Sequence, residues 1–133
     1  MTYYKVLNSD GSACHGGNGK WHLPKGKRPG KWMPNIANPI LCERGYHLVK
    51  DAQLLEWLGP TIYVAEYRGA TVRDSTKLVA EQARLVSRVD TWNDRTARLF
   101  AADCAEHVAH LYTLDTKWQP AATIAVVRRY ANG

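Results

Sequence analysis

No stretch of this chain approaches the 18 or more apolar residues of a membrane-spanning helix, so no membrane partner is expected. The opening Met-Thr-Tyr-Tyr-Lys lacks the charged-then-apolar order of a signal peptide, which suggests a cytoplasmic protein. Cysteine is sparse. Cys14, Cys42 and Cys104 are an odd count with no paired framework, which argues against a disulfide scaffold and agrees with a reducing compartment. Acid is nearly missing from the front: residues 1–40 hold Lys5, Lys20, Lys25, Lys27, Arg28 and Lys31 against Asp10 alone, and the remainder is almost balanced. Most of the net charge of +6 therefore sits in the first third. Such asymmetry points to an anionic partner, nucleic acid first and a nucleotide phosphate second, with a solubilising loop as the plainer alternative.

What is present suits one domain of 133 residues, 45% of them apolar or aromatic, with enough chain to bury a core without staples. The stretch 41–68, LCERGYHLVKDAQLLEWLGPTIYVAEYR, reads as strand, turn, short helix and strand. Glu43-Arg44-Gly45 is a polar turn, Asp51 can accept from N–H groups at a helix start, and Leu54, Leu55 and Leu58 recur at helical spacing. Gly59-Pro60 stops that helix. The β-branched and aromatic run from Thr61 then makes a strand that Gly69 is expected to end.

Upstream, 2–7 is a strand and Asn8-Ser-Asp-Gly a turn. Residues 12–38 carry glycine, proline and lysine without periodicity, and a loop of that length in a compact domain usually serves function or is partly disordered. Trp21 and Trp32, on either side of Lys25, Lys27, Arg28 and Lys31, could stack bases while the cations hold phosphates. Alternatively the two indoles pin the loop to the core. Downstream, Asp74-Ser75-Thr76 is a turn or cap, 84–89 a strand, and 78–83 ambiguous because neither face is cleanly apolar.

The last third is helical. Thr91-Trp-Asn-Asp94 fits a capping box that starts a helix near Trp92, with Thr96, Leu99, Phe100, Cys104, Val108, Leu111 and Tyr112 as its apolar stripe. A connection over 113–119 leads to a second, antiparallel helix with Pro120 at its first position and Ile124, Val127 and Ala131 facing inward. The expected fold is a single α+β domain: a small, twisted, mostly antiparallel sheet of 2–7, 40–48, 61–68 and 84–89, a short helix 51–58, and the C-terminal helix pair.

The first strand with Tyr4-Lys5, the turn-rich insertion, LCERGYHL, IYVAEY and DSTKLVAEQARLV together resemble a family of uncharacterised small domains of bacteriophages and bacteria, over roughly residues 3–89. The tail, with Arg95, residues 103–106 and residues 128–131, resembles a helical segment of phage proteins and putative immunity proteins. These resemblances imply a mobile-element setting and an accessory protein that binds a host or defence protein or a nucleic acid, with no cofactor. More distantly, the order of strand, insertion, GYH strand, helix, IYV strand and late glutamate is similar to the ADP-ribosyltransferase fold, which implies an NAD cleft. Carried over, Lys5 and Tyr46 would hold the cofactor, and Tyr46, His47 and Glu81 would form the catalytic set. The chain departs from that pattern: the first strand has no Arg or His, Ser-Thr-Ser is absent beside Tyr46, and Gln82-Ala83 follows Glu81.

The competing readings are structural. A histidine beside a buried tyrosine is commonly a hydrogen-bonded core residue. Glu81 could lie on a solvated face, and Glu66, inside an apolar strand, would need Arg68 or Arg84 as partner. Cys14, His15, His22, Cys42 and His47 could converge on zinc, but their spacings match no compact finger, and no metal is expected. Cys104 and His107 are read as one core and one rim residue.

Overall fold

The computed structural model describes residues 1–109 and 120–133, and the chain divides into two compact units, Met1–Val89 and Asp90–Gly133. The class is α+β. In the first unit β1 (Tyr3–Leu7), β2 (Tyr46–Leu48), β3 (Thr61–Arg73) and β4 (Leu78–Arg88) form an open four-stranded sheet in the order β1-β3-β4-β2, every pairing antiparallel. Tyr4 and the residue after β2, Val49, exchange two backbone hydrogen bonds (2.7 and 3.0 Å), which tie the outer strands at one point.

Alternation along the strands creates the core. Tyr3 and Leu7 on β1, Tyr46 and Leu48 on β2, Tyr63 and Ala65 on β3, and Leu78, Ala80, Ala83 and Leu85 on β4 form one buried cluster with Trp21 and Met33. On β4 the positions in this cluster run 78 and 80, then 83 and 85, so the phase changes at Glu81–Gln82, and Val79 is buried as well. That change is why 78–83 shows no clean face in the sequence. The segment is strand throughout.

Three boundaries differ from expectation. Gly69 does not end its strand: β3 continues to Arg73 across a bulge in which Gly69 and Ala70 oppose Glu81. Gly69 sits at φ 86°, a backbone conformation that favours glycine, and a Cβ there would crowd the Glu81 side chain. Residues 40–45 are not strand. Ile40 and Arg44 exchange backbone hydrogen bonds of 2.7 and 2.8 Å around a tight loop, which leaves three residues for β2. The helix after it is a 3-10 turn, Asp51–Glu56, with Ala52 N–H donating to Asp51 Oδ1 (2.7 Å) and Lys50 N–H to Gln53 Oε1 (2.9 Å). The β3–β4 hairpin closes at Asp74, whose Oδ1 accepts from the N–H groups of Thr76 (2.7 Å) and Lys77 (3.0 Å).

The long insertion is ordered against the sheet. N–H groups of Gly30, Met33 and Ile36 donate to the carbonyls of Leu85, Ala83 and Glu81 (2.8, 2.9 and 2.8 Å), and Gln82 Nε2 returns a bond to Met33 O (2.7 Å). Residues 30–36 thus cover the part of the β4 edge that short β2 leaves open. Three residues of the insertion advance for every two on the strand.

In the second unit α1 (Asp94–Val108) and α2 (Pro120–Asn132) are antiparallel: Arg95 bonds Asn132 (2.9 Å), while Arg128, farther back on α2, reaches Asp103 (2.7 Å) and Glu106 (2.5 Å). The cap lies two residues later than expected, at Asn93 instead of Thr91. Asn93 Oδ1 accepts from Thr96 N–H (3.0 Å) and Thr96 Oγ1 from Asn93 N–H (2.9 Å), so Thr96 closes the box and is not part of an apolar stripe. Ala102, Ile124 and Ala131 are buried, whereas Phe100, Cys104 and Val108 are exposed. The expected connection over 113–119 and the stripe positions Leu111 and Tyr112 lie outside the described residues.

Candidate functional site

Lys5 reaches inward from the middle of β1. Its Nζ donates to His47 O (3.0 Å) and lies 5.2 Å from the centre of the Trp21 ring. No carboxylate pairs with it among the described residues. Burial pushes its pKa down from 10.5 to about 8, only partly offset by the neighbouring Cys14. Beside it opens a cleft of about 610 Å³. Its walls include Trp21, Tyr46, His47, Trp57 and Lys77, and the loop Gly16-Gly17-Asn18-Gly19 forms its rim.

The side chains around Lys5 are largely committed. Tyr46 donates from its hydroxyl to Pro34 O (2.5 Å), packs edge-on against Trp21 (5.2 Å), and has its pKa raised by burial. His47 Nε2 accepts from Cys42 N–H (2.8 Å), which fixes the neutral ring with its proton on Nδ1, in keeping with the hydrogen bond to the Gly45 backbone. Burial first, then the charges of Lys5 and Lys77, hold its pKa below 6.5. His47 therefore braces the 40–45 loop, in which Cys42 adopts φ 65°. Lys77 is buried under the Trp57 ring (5.4 Å). Burial pulls its pKa down, but hydrogen bonding to Cys42 and the charge of Asp74 leave it above its ordinary value. Cys14 donates to Val6 O (3.6 Å), and burial raises its thiol pKa.

Of the residues read as an enzyme site, the fold brings together Lys5, Tyr46 and His47 but not Glu81. Glu81 neighbours Ala80, the pairing partner of Tyr46, yet its carboxylate accepts from Ala70 N–H (3.0 Å) at the bulge and lines no part of the cleft. It stabilises backbone. The zinc grouping is not assembled either: His15 contacts Trp57 O (2.7 Å), His47 is occupied by Cys42, and His22 lies outside the cleft walls. No group of three or more His, Cys, Asp or Glu among the described residues is placed to hold a metal ion.

The basic stretch is arranged differently from its sequence reading. Lys25 and Arg28 exchange backbone hydrogen bonds (3.0 and 2.9 Å) around Gly26, at φ 56°, and Lys27, a two-residue hairpin. Lys25, Lys27, Arg28 and Lys31 are exposed, and none pairs with an acid among the described residues. The tryptophans beside them do not face solvent as stacking platforms. Trp21 is 6% exposed in the core. Trp32 is half-buried with the guanidinium carbons of Arg68 and Arg84 over its ring at 4.1 and 4.8 Å. Arg84 also pairs with Glu66, the partner expected of that carboxylate, and Arg68 Nε donates to Gln82 Oε1 (2.7 Å). The indoles anchor the arm, and only its cations remain free.

The glycine loop and Lys77 escaped the sequence reading of the site. Gly-Gly-Asn-Gly directly after Cys14-His15 was the available signal for the first; Lys77 gave none. No protein-family model, curated protein or solved structure matches the chain. No helix among the described residues is long and apolar enough to cross a membrane.

Proposed function

We propose that the chain is a phage-type accessory protein that acts by binding, and that its partner is the phosphate backbone of nucleic acid, gripped by Lys25, Lys27, Arg28 and Lys31. One observation carries this reading: four exposed cations without acidic partners among the described residues lie close together, Lys25, Lys27 and Arg28 on a hairpin and Lys31 just after it, and the segment is fixed on either side by Trp21 in the core and by the Gly30 and Met33 bonds to β4. A preorganised cationic tip loses little freedom on meeting phosphates. Because both indoles are engaged, no base stacking adds to the charge term, so binding is indifferent to sequence. A host or defence protein as partner would favour an apolar patch around Trp32 or Trp118. Trp32 is covered by two guanidinium groups, and Trp118 lies outside the described residues. An NAD-dependent transferase would need Glu81 in the cleft, and its carboxylate is on Ala70.

The test is fluorescence anisotropy with a labelled duplex across a salt series. Four phosphate contacts give a slope of log affinity against log salt near −3.6, or roughly 150-fold weaker binding at 200 mM than at 50 mM salt. Replacing all four cations by glutamine should flatten the slope towards zero. Absent binding at low salt, or an unchanged slope in the variant, refutes the reading.

A further inference from the structure

We infer that the cleft beside Lys5 is a second, separate site that takes a small phosphorylated organic molecule, its phosphate between the Lys5 ammonium and the Gly16–Gly19 rim and its body against the aromatic walls. The volume of about 610 Å³ suits such a ligand. The site stands apart from the nucleic-acid reading, because none of Lys25, Lys27, Arg28 or Lys31 lines the cleft.

Three observations converge on the phosphate. Lys5 is a half-buried cation whose only acceptor among the described residues is the His47 carbonyl, which leaves two of its three N–H groups for a ligand at the cleft wall. A buried charge without a counterion is costly, and an incoming anion removes that cost. The groups facing Lys5 are the Cys14 thiol from the insertion, the neutral His47 imidazole from β2 and the Trp21 ring, none of them a carboxylate. Lys77 adds a second cation to the walls, though it shares its charge with Asp74 (3.5 Å).

The rim supplies neutral donors. No backbone N–H of Gly16, Gly17, Asn18 or Gly19 reaches an acceptor among the described residues, and a Cβ built on Gly16, Gly17 or Gly19 meets nothing within 4 Å. Successive free amides on a glycine-rich turn, next to a lysine, are a recurrent way of holding phosphate oxygens. A dianionic head uses such a donor set more fully than a carboxylate does. Elsewhere the wall carries Glu43 and Arg44 together with Met33, Ile36, Tyr46 and Trp57, and the apolar and aromatic part of it favours a ligand whose phosphate is joined to a flat or apolar group.

The probes are phenyl phosphate and its neutral relative phenol, titrated into the full chain while the fluorescence of Trp21 and Trp57 and the melting temperature are followed. Phenyl phosphate should saturate with a Kd at or below about 1 mM and raise the melting temperature; phenol should do neither. Inorganic phosphate should compete. Lys5→Met should weaken phenyl phosphate by roughly 10- to 100-fold, the size of a lost charge-assisted hydrogen bond, and Lys25→Gln/Lys27→Gln/Arg28→Gln/Lys31→Gln should bind it as wild type does. Equal binding of phenol, no saturation by phenyl phosphate, or loss of binding in the quadruple variant alone would overturn the assignment. If Lys5→Met does not fold, the phenol comparison and the quadruple variant decide the matter unaided.

Discussion

Replacing Trp32 separates an anchoring indole from a base-stacking one. The ring carries two guanidinium groups, Arg68 at 4.1 Å and Arg84 at 4.8 Å, each worth about 0.5–1 kcal/mol at a partly solvated site. Truncating a fully buried tryptophan costs about 3–5 kcal/mol, and half-burial leaves roughly half of that. Trp32→Ala should therefore destabilise the N-terminal unit by about 3 kcal/mol, or lower its melting temperature by roughly 12–24 °C for a unit of this size. Trp32→Leu, which keeps apolar bulk without a ring quadrupole, should lose about 1–2 kcal/mol. Thermal denaturation by circular dichroism gives both values. Hydrogen exchange adds a local test, since the amides of Gly30 and Met33, bonded to Leu85 and Ala83, should lose protection together. A stacking residue predicts the reverse pattern: near-wild-type stability, with single-strand affinity weakened by about 1–3 kcal/mol. That result would refute the anchoring role and, with it, the claim that binding is indifferent to bases.

Two further expectations concern pH. The Cys42 amide is held by a neutral His47 ring whose pKa lies below 6.5 through burial, so the unfolded chain binds the proton more readily; stability present above pH 6.5 is lost as pH falls below it, and amide exchange at Cys42 should lose protection on acidification. His47→Ala should abolish that dependence and cost about 1–2 kcal/mol at pH 7. For Lys5 the folded pKa of about 8 lies under the unfolded 10.5, so the unfolded state holds more protons between them and stability rises with pH from about 8. The rise should amount to as much as roughly 3 kcal/mol. It is best read below pH 10, before Tyr46 and Tyr63, whose pKa values burial raises, contribute the opposite trend. Urea unfolding at pH 7, 8, 9 and 10 should show this slope in wild type and not in Lys5→Met. Equal slopes would mean that Lys5 is not desolvated.

The α+β class was legible, and with it β1 and β3, because 3–7 and 61–67 are short runs of β-branched and aromatic residues beside turn signals, whereas 40–45 and 78–83 gave no such clear reading. Gly69 shows where that logic fails. A glycine after a strand reads as a stop, but here the opposite strand supplies Glu81 to hold the Ala70 amide, and a bulge carries the ladder onward. The same contact explains why Glu81 looked available for chemistry: the demand for its carboxylate arises eleven residues away in sequence. Tyr46, His47 and Lys5 line one cleft although β1 and β2 stand at opposite ends of the strand order, because the Tyr4–Val49 hydrogen bonds draw the two outer strands together. What they do was not legible. The acceptor role of His47 depends on the left-handed backbone of Cys42, and the half-burial of Lys5 depends on how far Trp21 reaches into the core.

The two proposed anion sites would differ in when their cations lose water. At the 25–28 hairpin the side chains are fully hydrated before and after contact with a phosphate backbone, so the gain is release of counterions and is screened by salt. Lys5 has already lost much of its hydration on folding, as its lowered pKa records. An anion entering the cleft meets a charge poorly shielded by solvent, and its affinity should change little across the salt range that dissociates nucleic acid. On the two proposals together, one protein would hold two anionic ligands, one strongly and one weakly sensitive to salt. The cause is local: residues 20–36 lean Trp21 against Lys5 at one end and hold four other cations out in water at the middle.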